Sequence, residues 1–243
     1  LRYREPLWHG YQERKHRPLT TSLFVELARI IKDTDLDVRK VAGTKLANPV
    51  TGEVIYTPPE GEAVIRDKLA NLERFLYPEE PDDLDPLVRM AVMHYQGEAI
   101  HPFSDGNGRT GRILNILWLV EQALLDIPVL YLSHFILANK ADYYRGLRGV
   151  TEEGAWENWM LYMLGAVEQT ARETGERVAR ILVLMEEMRR QVQEQAPRIY
   201  SKDLVEVIFK HPYCKIQFLE EAKVAKRQTA SDYLKTLAGL GLL

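Results

Sequence analysis

The stretch His101-Pro102-Phe103-Ser104-Asp105-Gly106-Asn107-Gly108-Arg109-Thr110-Gly111-Arg112 organises this chain, with apolar runs leading into it (Leu87 to Ile100) and out of it (Ile113 to Leu125). Gly106-Asn107-Gly108 lets successive backbone N–H groups converge into an anion-binding concavity. The helix that starts there adds its unpaired N-terminal donors and the positive end of its dipole. Arg109 and Arg112 are three apart, hence on one helical face, where both reach a phosphate chain. Asp105 offers hard oxygen for Mg²⁺, and His101 is a base that is neutral near pH 7 unless its surroundings charge it. The residues by themselves point to nucleotide phosphates, a metal and a proton acceptor.

Outward from that stretch, the sequence reads as helices. Thr21 to Ile31 places Leu23, Phe24, Leu27, Ile30 and Ile31 on one face, with Thr20, Thr21 or Ser22 as cap. Glu62 to Leu76 is a second amphipathic helix, with Val64, Leu69, Leu72, Phe75 and Leu76 as its buried set. After the acidic loop Pro78 to Asp85, a helix begins at Pro86 and carries His94, read as a packed or capping histidine. Ile113 to Val120 is apolar nearly all round and predicts the helix at the centre of the core. Ser133-His134-Phe135 opens another helix, with His134 structural, and Tyr143 and Tyr144 lie on the next. Trp156 to Gln195 reads as long helix interrupted near Gly175, its apolar stripe (Trp159, Met163, Val167, Val178, Ile181, Leu182, Met185) used for packing. One segment breaks the helical period. Val41 to Ala47 and Val54 to Tyr56 read as a hairpin turned at Asn48 to Gly52 and stopped by Thr57-Pro58-Pro59. Two strands are marginal unless they lie on something, so this is either a surface decoration or an edge that receives an extended peptide.

Beyond Tyr200 the rhythm shortens. Ser201 caps Lys202 to Lys210, Cys214 or Lys215 opens a second helix, and a third begins near Thr229 and stops at Gly239. Leu240 to Leu243 reads as the first strand of a hairpin, giving a winged helix-turn-helix with Arg227, Gln228, Thr229 and Ser231 near the start of its recognition helix. From Ala196 onward there are eight Lys+Arg against five Asp+Glu, a weak footprint for DNA; a packing or dimerisation module is the simpler reading.

Composition sets the outer bounds. A chain of 243 residues holds one large domain and a small one, and 46% hydrophobic with 28% charged content is ordinary for a globular protein. A net charge of -3 gives no reason to expect a wholesale nucleic-acid or membrane partner. The single cysteine, Cys214, excludes an internal disulfide and a Cys-based zinc site, and a reducing cytoplasm is the expected setting. No apolar run approaches the ~20 residues of a membrane span. The chain opens without Met and closes on an apolar Gly239 to Leu243, which suggests a trimmed chain with the last module cut short.

The central stretch resembles the motif of the Fic family, His-x-Phe-x-Asp/Glu-Gly-Asn-Gly-Arg-x-x-Arg, with every specified position filled. The resemblance extends over roughly residues 20–170, since a hairpin ending in Pro58-Pro59 precedes the motif and Tyr143-Tyr144 follows it. It implies a mainly α fold: a Fic-type helical core with its flap hairpin (about 40–57) and long helices over 1–195, and a small winged-helix module over 196–243. It implies transfer of AMP from ATP to a Ser, Thr or Tyr hydroxyl of a protein, with release of pyrophosphate. His101 would be the general base and Asp105 the Mg²⁺ ligand. Gly106, Asn107, Gly108, Arg109, Thr110, Gly111 and Arg112 would hold the phosphates, Arg112 at the terminal one. Tyr143 and Tyr144 would lie at the adenine end, and the flap would align the acceptor segment. The expected partners are ATP, a protein acceptor that includes the chain itself, and a second copy in a homodimer. Two alternatives stand beside this: transfer of another nucleotide or phospho-group by the same site, and a DNA-binding regulator whose core senses nucleotide. Relatives carry an inhibitory Ser/Thr-x-x-x-Glu-Gly/Asn motif whose glutamate pairs with the last arginine. Here only Ser22 to Glu26 has the spacing, and Leu27 follows, so the chain is expected to be unbraked, its brake absent or upstream of Leu1.

Overall fold

The structure, a computed structural model, describes residues 3–47, 51–211 and 213–243. Among these the chain is helical apart from one two-stranded antiparallel sheet, in keeping with the mainly α expectation. It divides into two compact units, Leu1–Arg172 and Glu173–Leu243.

The first unit begins with α1 (Arg4–Glu13), α2 (Thr21–Lys32) and α3 (Glu62–Leu76), which surround the paired helices α4 (Pro86–Ile100) and α5 (Asn107–Glu121). Pro86 takes the first position of α4, where its missing N–H costs nothing, and Asp85 Oδ1 accepts from Leu87 N at 2.7 Å. Every residue of α5 from Ile113 to Val120 is buried, as its all-round apolar sequence demands. No hydroxyl caps α2. Instead Glu73 Oε1, from α3, accepts from Thr21 N at 2.5 Å, so a distant carboxylate satisfies the helix start. On α3 the buried ladder is Ile65, Leu69, Leu72 and Leu76, and the expected Val64 is exposed. One residue turns a helix by about 100°, enough to move a side chain off the face.

The hairpin is shorter than expected. β1 (Leu46–Ala47) pairs with β2 (Val54–Tyr56), Leu46 opposite Tyr56 and Ala47 opposite Val54 with a register shift between them. In this register the residues before Leu46 would face Thr57-Pro58-Pro59, where proline has no N–H to give, so Val41 to Lys45 find no ladder. The expected turn at Asn48, Pro49 and Val50 lies outside the described residues. Beyond α5 the unit continues through α6 (Leu132–Ala138), α7 (Lys140–Glu153) and the first turns of the next helix; His134 on α6 is exposed, contrary to its structural reading.

Helix α8 (Trp156–Gln195) runs through Gly175 without a break. A lone glycine costs a helix about 1 kcal/mol, which its neighbours on both sides absorb. Within the second unit Val178, Ile181 and Leu182 are exposed, so this part of the stripe does not pack as expected. The short helices α9 (Lys202–Lys210), α10 (Ile216–Glu221) and α11 (Arg227–Gly239) build a separate core of Leu204, Val207, Leu219, Ala230 and Leu237, which meets α8 only from Met188 on. Ser201 Oγ caps α9 by accepting from Leu204 N at 3.1 Å, as read from the sequence. The expected wing strand is not there among the described residues. Gly241 (φ 71) ends α11 in a left-handed turn, its N–H bonded to Ala238 O and that of Leu242 to Leu237 O. That is a Schellman cap; the glycine that stops the helix is Gly241, with Gly239 still inside it.

Candidate active site

His101 sits where α4 ends. It is the C-cap, in the left-handed conformation (φ 49, ψ 58) that most side chains avoid, with its N–H on Gly97 O at 3.1 Å. Arg39 holds this strained corner. Its Nε donates to His101 O at 2.8 Å, and its Nη2 donates to Ile100 O at 3.4 Å and to Pro59 O, while its backbone N–H donates to Pro102 O at 2.8 Å. One buried guanidinium thus satisfies the orphaned carbonyls of α4 and ties them to the base of the hairpin. Tyr56 Oη adds a second tie, donating to Ala99 O at 2.8 Å. Burial and the Arg39 guanidinium push the His101 pKa below its usual value, with the Glu98 backbone and Asp105 acting the other way, so the imidazole is neutral at pH 7.

The next turn opens α5. Gly106 is its N-cap at φ 89, a conformation a side chain would strain, and the first N–H groups of α5 have no carbonyl four residues back. Asn107 takes a different part from the one expected of it. Its buried amide clamps the loop, Oδ1 accepting from Phe103 N at 2.9 Å and Nδ2 donating to Phe103 O at 2.8 Å, so only its backbone is left for an anion. Asp105 Oδ1 accepts from Gly106 N at 2.6 Å, and Oδ2 is ion-paired with Lys32 of α2 and lies 3.7 Å from Arg109. Lys32 foremost, with the Gly106 N–H and Arg109, holds this carboxyl below the usual carboxylate range. Arg112 donates from Nε to Ser133 Oγ at 3.0 Å, which aims the rest of its guanidinium. Thr110 is buried, and neither it nor Gly111 borders the cleft described next.

A cleft of about 890 Å³ runs from β1 and β2 to α7, a size suited to a nucleotide. It gathers His101, Gly108, Arg112, Tyr143 and Tyr144 together with Leu46, Ala47, Ile55 and Tyr56 of the hairpin. Asp105, Gly106, Asn107 and Arg109 belong to the adjoining turn and do not line it. The two tyrosines separate. Tyr144 is 54% exposed and offers its ring, whereas Tyr143 is buried with Oη 3.0 Å from His94 Nε2. His94 is itself buried, as read, and desolvation pushes its pKa down to about 3. Sequence reading missed Arg39, Lys32 and Glu98. Only Glu98 carried a signal, as the single carboxylate in the apolar run of α4.

Mg²⁺ fits this donor set. Asp105 offers a half-exposed, ionised carboxylate, and among the described residues no group of three His, Cys, Asp or Glu gathers to hold an ion by itself. An ion here would take its remaining oxygens from phosphate and water, which is the habit of Mg²⁺.

Residues 18–119 match the Fic/DOC family, and residues 184–243 match the C-terminal domain of SoFic-like protein adenylyltransferases. The chain is 35% identical over 94 residues (38% of it, 17% of the relative) to protein adenylyltransferase fic-1 of Caenorhabditis briggsae. It is 40% identical over 72 residues (30% of it, 20% of the relative) to a probable protein adenylyltransferase of Aquifex aeolicus. It thus spans about a fifth of the length of these curated relatives. A crystal structure of a Fic family protein from Desulfovibrio desulfuricans superposes on 98% of this chain and 67% of its own, with a TM-score of 0.62 at 19% identity. With the motif at the mouth of α5, the hairpin beside it and both matches in chain order, the chain carries a Fic/DOC-type domain over residues 18–119, followed by a SoFic-like C-terminal domain.

Proposed function

We propose that the chain is a nucleotidyltransferase that moves AMP from ATP to a hydroxyl of a protein. The observation that carries this reading is the meeting, in one cleft, of a neutral His101, the Gly108 end of α5 with Arg112, and a hairpin tied to the same corner by Arg39 and Tyr56. The hairpin presents exposed Val54 and Ile55, and an extended acceptor segment pairing along it would bring its hydroxyl beside His101.

In the proposed reaction His101 takes the proton of the acceptor hydroxyl as the oxygen bonds to the α-phosphorus. The bond from that phosphorus to the bridging oxygen breaks on the far side, and pyrophosphate leaves with the electron pair. Positioning and neutralisation of the departing charge supply most of the catalysis in such a displacement. Arg112, the Gly108 end of α5 and Arg109 supply positive charge from the protein. Asp105 would hold Mg²⁺, which supplies further neutralisation of the phosphate oxygens. Tyr144 offers an exposed ring for the base, and Tyr143 acts from below as support.

Incubation with ATP labelled separately at the α- and γ-phosphates tests the reading. Protein should gain label from the α position alone, with self-modification as the simplest acceptor, and His101→Ala should abolish it. Label gained only from the γ position sinks the proposal.

A further inference from the structure

Glu98 is the carboxylate that the mechanism leaves unused. It lies on α4 one turn before His101, and it borders the cleft. Its Oε1 is shut off from solvent and has no hydrogen-bond partner among the described residues. The oxygen lies against the opening of α5: a methyl group on Gly108 would come 3.5 Å from it, and one on Gly111 3.3 Å. The same methyl on Gly108 would stand 3.0 Å from Arg112 Nη1, so carboxylate and guanidinium flank one small space without forming an ion pair. Behind Glu98 is a buried chain. Asn115 Nδ2 donates to His94 Nδ1 at 3.0 Å, which leaves the imidazole proton on Nε2 to donate to Tyr143 Oη at 3.0 Å. The tyrosine then has its own proton free for Glu98.

Resting on the nucleotide reading above, we propose that Glu98 is a positioning residue: it draws Arg112 toward the site before ATP arrives, and takes up a proton as the terminal phosphate claims that guanidinium. The titratable and charged groups that face it are few. On α4 there is His94, held neutral by burial; on α5 there is Arg112; on α7 there is Tyr143, whose pKa burial and Glu98 raise. Arg112 alone among them is charged, and with the Tyr143 hydroxyl it stabilises the carboxylate. Desolvation outweighs it and brings Glu98 up to about 7, so the group is poised between its two forms. A triphosphate removes the balancing charge and adds negative charge of its own. Both effects favour the protonated acid, and the proton comes from solvent.

Calorimetric titration with α,β-methylene ATP and Mg²⁺ at pH 8, in two buffers of different ionisation enthalpy, reads that proton directly. The wild-type protein should take up close to one proton per nucleotide, and its affinity should fall up to about tenfold per pH unit above 7. Glu98→Gln should take up none and bind more tightly than wild type at pH 8. Equal proton uptake in the two proteins overturns the inference. So does zero uptake by the wild type, which decides the matter even if the variant does not fold. Binding without uptake leaves the nucleotide reading standing, whereas absence of binding overturns both.

Discussion

At the scale of single residues, the buried groups set measurable opposing terms. His94 is held at about 3 against 6.5 when unfolded, so stability falls as pH drops below 6.5, where only the unfolded chain accepts the proton. Glu98 is raised to about 7 from 4.5, so stability falls as pH rises from 4.5 to 7, where only the unfolded chain releases it. The two slopes oppose one another between 4.5 and 6.5. Urea denaturation across that window should be nearly flat in these two terms for the wild type. His94→Gln should expose the Glu98 slope, a loss approaching about 1.4 kcal/mol per pH unit. A slope of the opposite sign counts against the placement of Glu98. Arg39 gives a second prediction. Its fork reaches three carbonyls that no lysine can reach together. Arg39→Lys should therefore cost about 2 kcal/mol of stability and lower kcat, because the left-handed corner at His101 loses its clamp. Unchanged kcat in a folded variant speaks against that positioning role.

Elements were easiest to read where local chemistry decided them. Asp85-Pro86 and Ser201 start their helices as their side chains dictate, since a cap is a contact between near neighbours. Thr21 was different: its capping partner, Glu73, is 52 residues away, and no pattern near Thr21 announces it. Gly175 shows the limit from the other side. It reads as a break, yet α8 continues, because breaking needs more than one weak position in forty. Nothing lies within 4 Å of where its side chain would be, and its φ is not positive. Gly175→Ala should accordingly raise stability by about 0.5–1 kcal/mol, read by thermal denaturation. A drop instead would reveal a bend that the helix uses.

At the scale of the whole molecule, two hydrophobic cores support two compact units. The cleft and the glycine-rich turn belong entirely to the first. Leu219 is fully buried in the second core, and Leu219→Ala should cost that unit about 2–4 kcal/mol. Nucleotide affinity at low temperature should be unchanged in the same variant, measured by titration. Weakened binding there would mean that the second unit helps to form the site. By itself, the sequence determined the helices around residues 101–112 and was enough to propose the α5 opening as a phosphate cradle and His101 as the base, because spacing and residue type suffice for these. Only the tertiary structure decided that Asn107 is a clamp, that Arg39 ties the His101 corner to the base of the hairpin, that Lys32 sits on Asp105, and that Glu98 and Arg112 flank one space. Those facts depend on contacts between residues far apart in the chain and on how much water each contact excludes, and burial of that kind leaves no period in a sequence.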